Sequence, residues 1–307
     1  MRLAVPDLIS NSYFPAIAAA ELGFFQEEGL DVQLDLVFPV PKTMAALRDG
    51  DLDVVAGAAH ATLMAFPEWK GARLLMALAQ RTYWLLVLRS DLQAKRGDLS
   101  VVKGLRIGAA PGVDLSLTRL LIEAGIDPER DRVQIGPVPG ATGTSVSFGL
   151  TAARALAEGH IDGFWANAMG AEIAVRNGIG TVVLDVRRGA APPASWYYTF
   201  PALVMTEDRI QEAPERVTAV MRGVRKAQKA LQLDPSRATE AARRRFPSDE
   251  TELIAELITR DLPYYDPAIS AEVVIKLNRF AQHMGLLSAP VPYEQVVAVQ
   301  FSHLWES

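Results

Sequence analysis

Short apolar runs alternate with stretches in which apolar residues recur every three or four positions, from the first residue to about position 206. The runs predict strands at 2–6, 31–37, 53–57, 72–78, 83–89, 105–109, 132–136, 161–165 and 181–186. The stretches between them predict helices at 15–22, 41–49, 60–66, 114–124, 150–158 and 168–177. Leu117, Leu120, Leu121 and Ala124 fall on one helical face, which fixes the helix they belong to. From about 207 the strands stop and four or five helices are expected. Such alternation builds an α/β fold, a mostly parallel sheet with helices packed on it.

One internal echo bears on architecture. Ala46-Leu47-Arg48-Asp49-Gly50-Asp51-Leu52-Asp53 is matched by Ala155-Leu156-Ala157-Glu158-Gly159-His160-Ile161-Asp162, 109 residues later (159 − 50). Each is a helix end, a glycine suited to the left-handed C-terminal position, an apolar residue and an Asp ahead of a strand. Each delivers a loop at a strand's carboxyl end: Gly57-Ala58-Ala59-His60 and Trp165-Ala166-Asn167. Two similar α/β lobes facing each other are expected, with a cleft beyond the strand ends, where open α/β sheets bind ligands. The crossings fall near 80–89 and 195–205, so one lobe takes residues 1–88 plus 198–307 and the other 89–197. Both crossings carry aromatics: Tyr83 and Trp84 in the first, Trp196, Tyr197, Tyr198 and Phe200 in the second. A chain that crosses twice suits a hinged clamp, which closes through changes at a few crossing residues.

Composition narrows the classes. The 307 residues are half hydrophobic and 22% charged, enough for two lobes of ordinary size and unlike a disordered chain. A net charge of −5 argues against a nucleic-acid partner. No apolar run approaches the ~18 residues of a membrane span. Without cysteine, disulfides, thiolate metal sites and a cysteine nucleophile are excluded. There is no Gly-x-Ser-x-Gly elbow, no phosphate loop ending in Lys-Ser/Thr and no His-Glu-x-x-His. The four histidines are too scattered to suggest a metal site. Pro139-Gly140-Ala141-Thr142-Gly143-Thr144-Ser145 lacks the lysine of a phosphate loop and reads as a polar connection.

The segment Ser12-Tyr13-Phe14-Pro15-Ala16-Ile17-Ala18-Ala19-Ala20-Glu21-Leu22-Gly23-Phe24-Phe25-Gln26-Glu27-Glu28-Gly29-Leu30-Asp31-Val32 reads as a polar and aromatic turn, a helix opened by Pro15, and a Gly29 reversal into a strand. It resembles the opening of the bacterial periplasmic solute-binding proteins of the alkanesulfonate/nitrate/taurine and thiamine-pyrimidine-precursor superfamily. The resemblance is strongest over 11–32 and 42–60. It implies a periplasmic-binding-protein-like fold whose cleft is lined by residues just before the first helix, here Asn11, Ser12, Tyr13 and Phe14. It also implies a receptor without catalytic activity or cofactor that hands its ligand to a permease powered by an ATPase. A monomer is expected, periplasmic if an export signal was trimmed and otherwise cytoplasmic, since Met1-Arg2 runs straight into a strand.

Other cleft candidates follow from position. Gly57 and Ala58 leave room for a ligand beside His60. Gly112 and Asp114 open the helix whose start supplies backbone N–H groups to the anion in sulfonate- and nitrate-binding relatives. Here Asp114 is expected to cap that helix and to repel an anion, which argues against sulfonate or nitrate. Arg81 could pair with a ligand carboxylate or latch onto Asp114. Trp84, Trp165, Asn167, Trp196 and Tyr197 suggest an aromatic lining and a planar, aromatic or heterocyclic ligand. Removing the Trp165 indole is expected to abolish binding while leaving the fold intact. The rival reading is a cytosolic enzyme on the same fold, a decarboxylase or lyase acting on a small aromatic or cyclic acid through His60 and Arg81. The absence of cysteine counts against the related desulfinases and fungal pyrimidine synthases.

Overall fold

The computed structural model of the protein describes residues 1–143, 147–189 and 191–306. Its strands form two five-stranded sheets. The first runs in the order β2 (Gln33–Leu36), β1 (Arg2–Val5), β3 (Val54–Ala58), β10 (Pro201–Thr206) and β4 (Ala72–Ala77). The second runs β7 (Gln134–Gly136), β6 (Arg106–Ala109), β8 (Gly163–Ala166), β5 (Leu85–Arg89) and β9 (Gly180–Asp185). The two orders correspond place for place, as the internal echo implies. In each, three parallel strands are followed by one antiparallel strand, β10 or β5, that has just arrived from a crossing.

Helices cover both sheets. α1 (Phe14–Glu21), α2 (Phe24–Glu27), α3 (Val40–Arg48) and α4 (Thr62–Ala65) belong to the first lobe. α5 (Asp114–Glu123), α6 (Phe148–Ala157) and α7 (Ala168–Arg176) belong to the second. After β10 come α8 (Glu207–Glu212), α9 (Pro214–Leu233), α10 (Arg237–Ala242), α11 (Ser248–Asp261), α12 (Ala271–His283) and α13 (Tyr293–Val296). α3 and α6 end at Gly50 and Gly159, with φ of 82° and 71°, a backbone region costly for any residue with a Cβ. Each then turns directly into its lobe's third parallel strand.

Three expectations need correction. The sequence places 195–205 in a crossing, yet Ala202 to Met205 form β10 and pair with β3 on one side and β4 on the other. A central strand buried on both faces has no polar alternation to mark it. β5 pairs with β8 through Leu85–Ala166, so the first crossing ends before Leu85 and the lobe boundary placed at 88 moves to about 84. The helix expected over 60–66 is a short 3-10 turn, Ala59–Ala61, followed by the single turn of α4.

The C-terminal helices do more than cover the first sheet. α9 packs on α1 and α2, where a Cβ at Gly223 would lie 2.6 Å from the Phe25 ring. α11 reaches the second lobe: Arg260 bonds Glu172 at 2.6 Å and Arg176 bonds Glu256 at 2.6 Å. These pairs are largely solvated and contribute little each, about 0–1 kcal/mol. They mark where the lobes meet.

Candidate ligand cleft

The carboxyl ends of the strands of both sheets converge on one cavity of about 40 Å³. The first lobe supplies Pro6, Asp7, Ser10, Ser12 and Tyr13 after β1, and Phe38 and Val40 after β2. The first crossing supplies Tyr83 and Trp84. The second lobe supplies Ala110 and Val113 after β6, Phe148 at the start of α6, and Trp165, Ala166 and Asn167 at the end of β8. Strand ends place backbone polar groups and the first loop residues at one edge, so a two-lobed arrangement puts its chemistry between the lobes.

Six aromatic side chains line the cavity. Phe38 and Phe148 stack across the lobes with centroids 6.0 Å apart and planes 19° apart. Tyr13 and Tyr83 meet edge to face at 6.0 Å, and their hydroxyls lie 2.9 Å apart. Trp84 lies 4.8 Å from Tyr83 and 6.1 Å from Trp165. Burial pushes both tyrosine hydroxyls well above the ordinary phenol range, so they stay neutral and act as hydrogen-bond partners.

The polar centre is Asp7, which is 5% exposed. Its Oδ1 accepts from Ile9 N–H at 3.1 Å. Its Oδ2 accepts from second-lobe groups: Asn167 Nδ2 at 3.0 Å, Phe148 N–H at 3.2 Å and, more weakly, Ser147 Oγ at 3.4 Å. Burial pushes its carboxyl up from 3.8 to about 7, against the downward pull of these donors. Asn167 is doubly employed. Its Oδ1 caps α7 by accepting from Met169 N–H, while its Nδ2 also donates to Ser10 Oγ at 3.2 Å. Among the described residues, no Lys, Arg or His lines the cavity.

His60 makes a second bond between the lobes. Its Nε2–H donates to the Gly112 carbonyl at 2.8 Å, and the ring lies edge-on to Trp84 and Phe280. Burial pulls it down from 6.5 to about 4, because a proton on Nδ1 would meet no acceptor.

The structure therefore brings together Ser12, Tyr13, Trp84, Trp165 and Asn167 of the candidates read from the sequence. Others lie elsewhere. Phe14 is core, packed against Phe246. Gly57 and Ala58 are buried in β3, where a Cβ on Gly57 would lie 2.9 Å from Met44. Asn11 points away from the cavity, its Nδ2 donating to Asp261 Oδ2 at 2.7 Å beside the buried Arg187–Asp261 ion pair. Gly112 serves through its carbonyl, as the acceptor for His60. Asp114 is the first residue of α5 rather than its cap, which is Val113; its Oδ1 accepts from Leu115 N–H. Arg81 neither lines the cleft nor meets Asp114, and its guanidinium lies 4.3 Å from the Trp196 ring. Trp196 and Tyr197 line a separate cavity. Trp165 is fully buried and donates to Ser116 Oγ at 3.0 Å, so its removal would cost fold stability as well as cleft wall. Thr144 and Ser145 of the polar connection lie outside the described residues.

Sequence reasoning did not name Asp7, Ser10, Phe38, Tyr83 or Phe148 as cleft residues. The signal for Asp7 and Phe38 was present, since each directly follows a strand in the way that singled out His60.

A family model described as the NMT1-like family matches residues 9–245. No curated protein sequence matches the chain significantly. Among solved structures, a protein of Bordetella bronchiseptica RB50 superposes with a TM-score of 0.79 at 19% identity, covering 98% of this chain and 95% of that one. The alkanesulfonate-binding protein SsuA of Xanthomonas axonopodis pv. citri, solved with MOPS, gives 0.72 at 14% identity over 97% of each chain. The periplasmic nitrate-binding protein NrtA of Synechocystis PCC 6803 gives 0.72 at 15% identity over 99% of this chain and 86% of that one. The fold is thus that of the periplasmic binding proteins.

Proposed function

The chain belongs to the NMT1-like family, and on that premise we propose that it is a hinge-closing solute receptor for a planar, aromatic or heterocyclic ligand bearing hydrogen-bond donors. The observation that carries this reading is the cleft itself: six rings around one buried carboxylate, with no cationic side chain in its described lining. The Asp7 carboxylate suits an amino or ring N–H group, since a buried acceptor is strongly favoured when it receives a charge-assisted bond. The tyrosine hydroxyl pair can orient a second polar edge. Tyr83, Trp84 and Trp165 pack against one another at 4.8 to 6.1 Å, a continuous aromatic wall on which a flat molecule can lie once the lobes part.

Sulfonate and nitrate, named for two of the similar structures, do not suit this lining. The described lining offers an anion no cationic side chain, and above about pH 7, where the Asp7 carboxyl is ionised, an anion would also meet like charge in a low-dielectric site. The cavity of about 40 Å³ is too small for such a ring as it stands, so the lobes open to admit the ligand and close around it. In this reading the closed receptor docks on a membrane permease driven by an ATPase, which places it in the periplasm.

The test is a thermal-shift screen of aminopyrimidines, purines, aromatic carboxylates, alkanesulfonates and nitrate, with mass spectrometry of each hit mixture. A heterocycle that raises the melting temperature and is recovered unchanged supports the reading. A compound consumed would support the enzyme reading instead. That alternative is weakened because His60 is bonded to Gly112 and Arg81 stacks on Trp196, which leaves neither free at the cavity.

A further inference from the structure

We propose a second small-molecule site, outside the cleft, that takes a planar aromatic carboxylate. It is a cavity of about 330 Å³, within the size range of small-ligand pockets, between the second crossing and α12. Trp196 and Tyr197 come from the crossing, Lys276, Arg279, Phe280 and His283 from α12, and Glu123 from the end of α5. The four α12 residues fall at i, i+3, i+4 and i+7, so one helical face delivers an aromatic ring, two cationic side chains and an imidazole to the same wall.

Charge and hydrogen bonding select the ligand. Glu123 is already engaged by Arg119 Nε at 2.9 Å, which leaves the basic side chains dominant. Lys276 is held by Glu272 at 2.6 Å and lies 3.8 Å from the centre of the Tyr197 ring. Arg279 is exposed and makes no ion pair among the described residues, so its guanidinium is free to take a carboxylate in bidentate fashion. The Trp196 indole N–H is buried without an acceptor among the described residues. An unmet buried donor is costly, and a side-chain shift that opened Trp196 to the cavity would let a ligand oxygen satisfy it. Tyr198 and Phe280, stacked with centroids 4.6 Å apart, give the cavity an apolar base for a ring.

This chemistry is opposite in sign to that of the cleft, and the proposal does not depend on what the cleft binds. Because the lining draws on α5, α12 and a crossing, a bound molecule touches both lobes and the hinge.

The probe is 2-naphthoate, titrated by calorimetry into the full chain, into the surface variants Arg279→Glu and Lys276→Glu, and into the cleft variant Asp7→Asn. Saturable binding to the wild type is expected, weakened about tenfold or more by either charge reversal. Asp7→Asn should bind as the wild type does, and 2-naphthamide, which lacks the charge, should bind about tenfold more weakly. Thermal melts of the two reversed variants matching the wild type would show that their folds are intact. The proposal is overturned by absence of saturable binding at millimolar naphthoate, by unchanged affinity in Arg279→Glu, or by a loss confined to Asp7→Asn.

Discussion

Two buried titratable groups, displaced in opposite directions, make pH the sharpest probe of how the lobes are held. Asp7 rises from 3.8 in an unfolded chain to about 7 in the fold. Between those values the native state holds a proton the unfolded state has lost. Stability from Asp7 is therefore complete below 3.8 and is lost as pH rises through about 7. His60 falls from 6.5 to about 4. Between those values the unfolded state holds the extra proton, so stability from His60 is present above 6.5 and is lost as pH falls through about 4. At about 1.4 kcal/mol per pH unit of displacement, Asp7 accounts for about 4 kcal/mol and His60 for about 3 kcal/mol. Over pH 4 to 6.5 the two slopes oppose and nearly cancel in the wild type.

Single variants should uncover them. Asp7→Asn removes one slope and keeps the side-chain shape; its lost Ile9 bond is a pH-independent offset. His60→Gln removes the other and keeps a donor toward Gly112. The assay is the guanidinium midpoint and slope from pH 4 to 7.5, read as variant minus wild type so that the remaining carboxylates cancel. Relative to wild type, Asp7→Asn should gain stability as pH rises, by about 4 kcal/mol in total. His60→Gln should gain as pH falls, by about 3 kcal/mol. Flat difference curves for both, or slopes of the opposite sign, would refute the assignment of these protons to the interface between the lobes.

Asn167→Ala should cost about 1 kcal/mol through the lost α7 cap, and more through the lost bonds to Asp7 and Ser10; calorimetric melting checks it. Gly170→Ala should lower the melting temperature clearly, because its Cβ would sit 2.4 Å from the Gly149 carbonyl oxygen and drive α6 from α7, at a cost of about 1–3 kcal/mol. Trp165→Ala should destabilise by about 3–5 kcal/mol and abolish binding of the cleft ligand, whereas Trp165→Phe should retain the fold and weaken binding; paired melts and titrations separate the two effects.

How far the sequence could be read follows from what each kind of signal encodes. Periodicity reports which face of an element is apolar, so α5 and α6 could be placed to within a residue or two, while β10, apolar on both faces, left nothing to distinguish it from a crossing. The strand-end rule locates a loop at the cleft but does not say where its side chains find partners. It points to Ser12, Trp165 and Asn167, which line one cavity, and by the same logic to His60, whose ring instead bonds a backbone carbonyl of the other lobe. Asn11 is clearer still: its partner, Asp261, lies 250 residues away on α11, in a region whose helical pattern carries no hint of contact with the first turn. Trp196 and Tyr197 share a crossing with residues near the cleft, and position alone groups them with it. A crossing has two sides, and α12, at the far end of the chain, claims the one these rings face. Local pattern thus specified the lobes and their facing edges. The polar pairings that set the character of each cavity are long-range, and they became visible only when the C-terminal helices were in place.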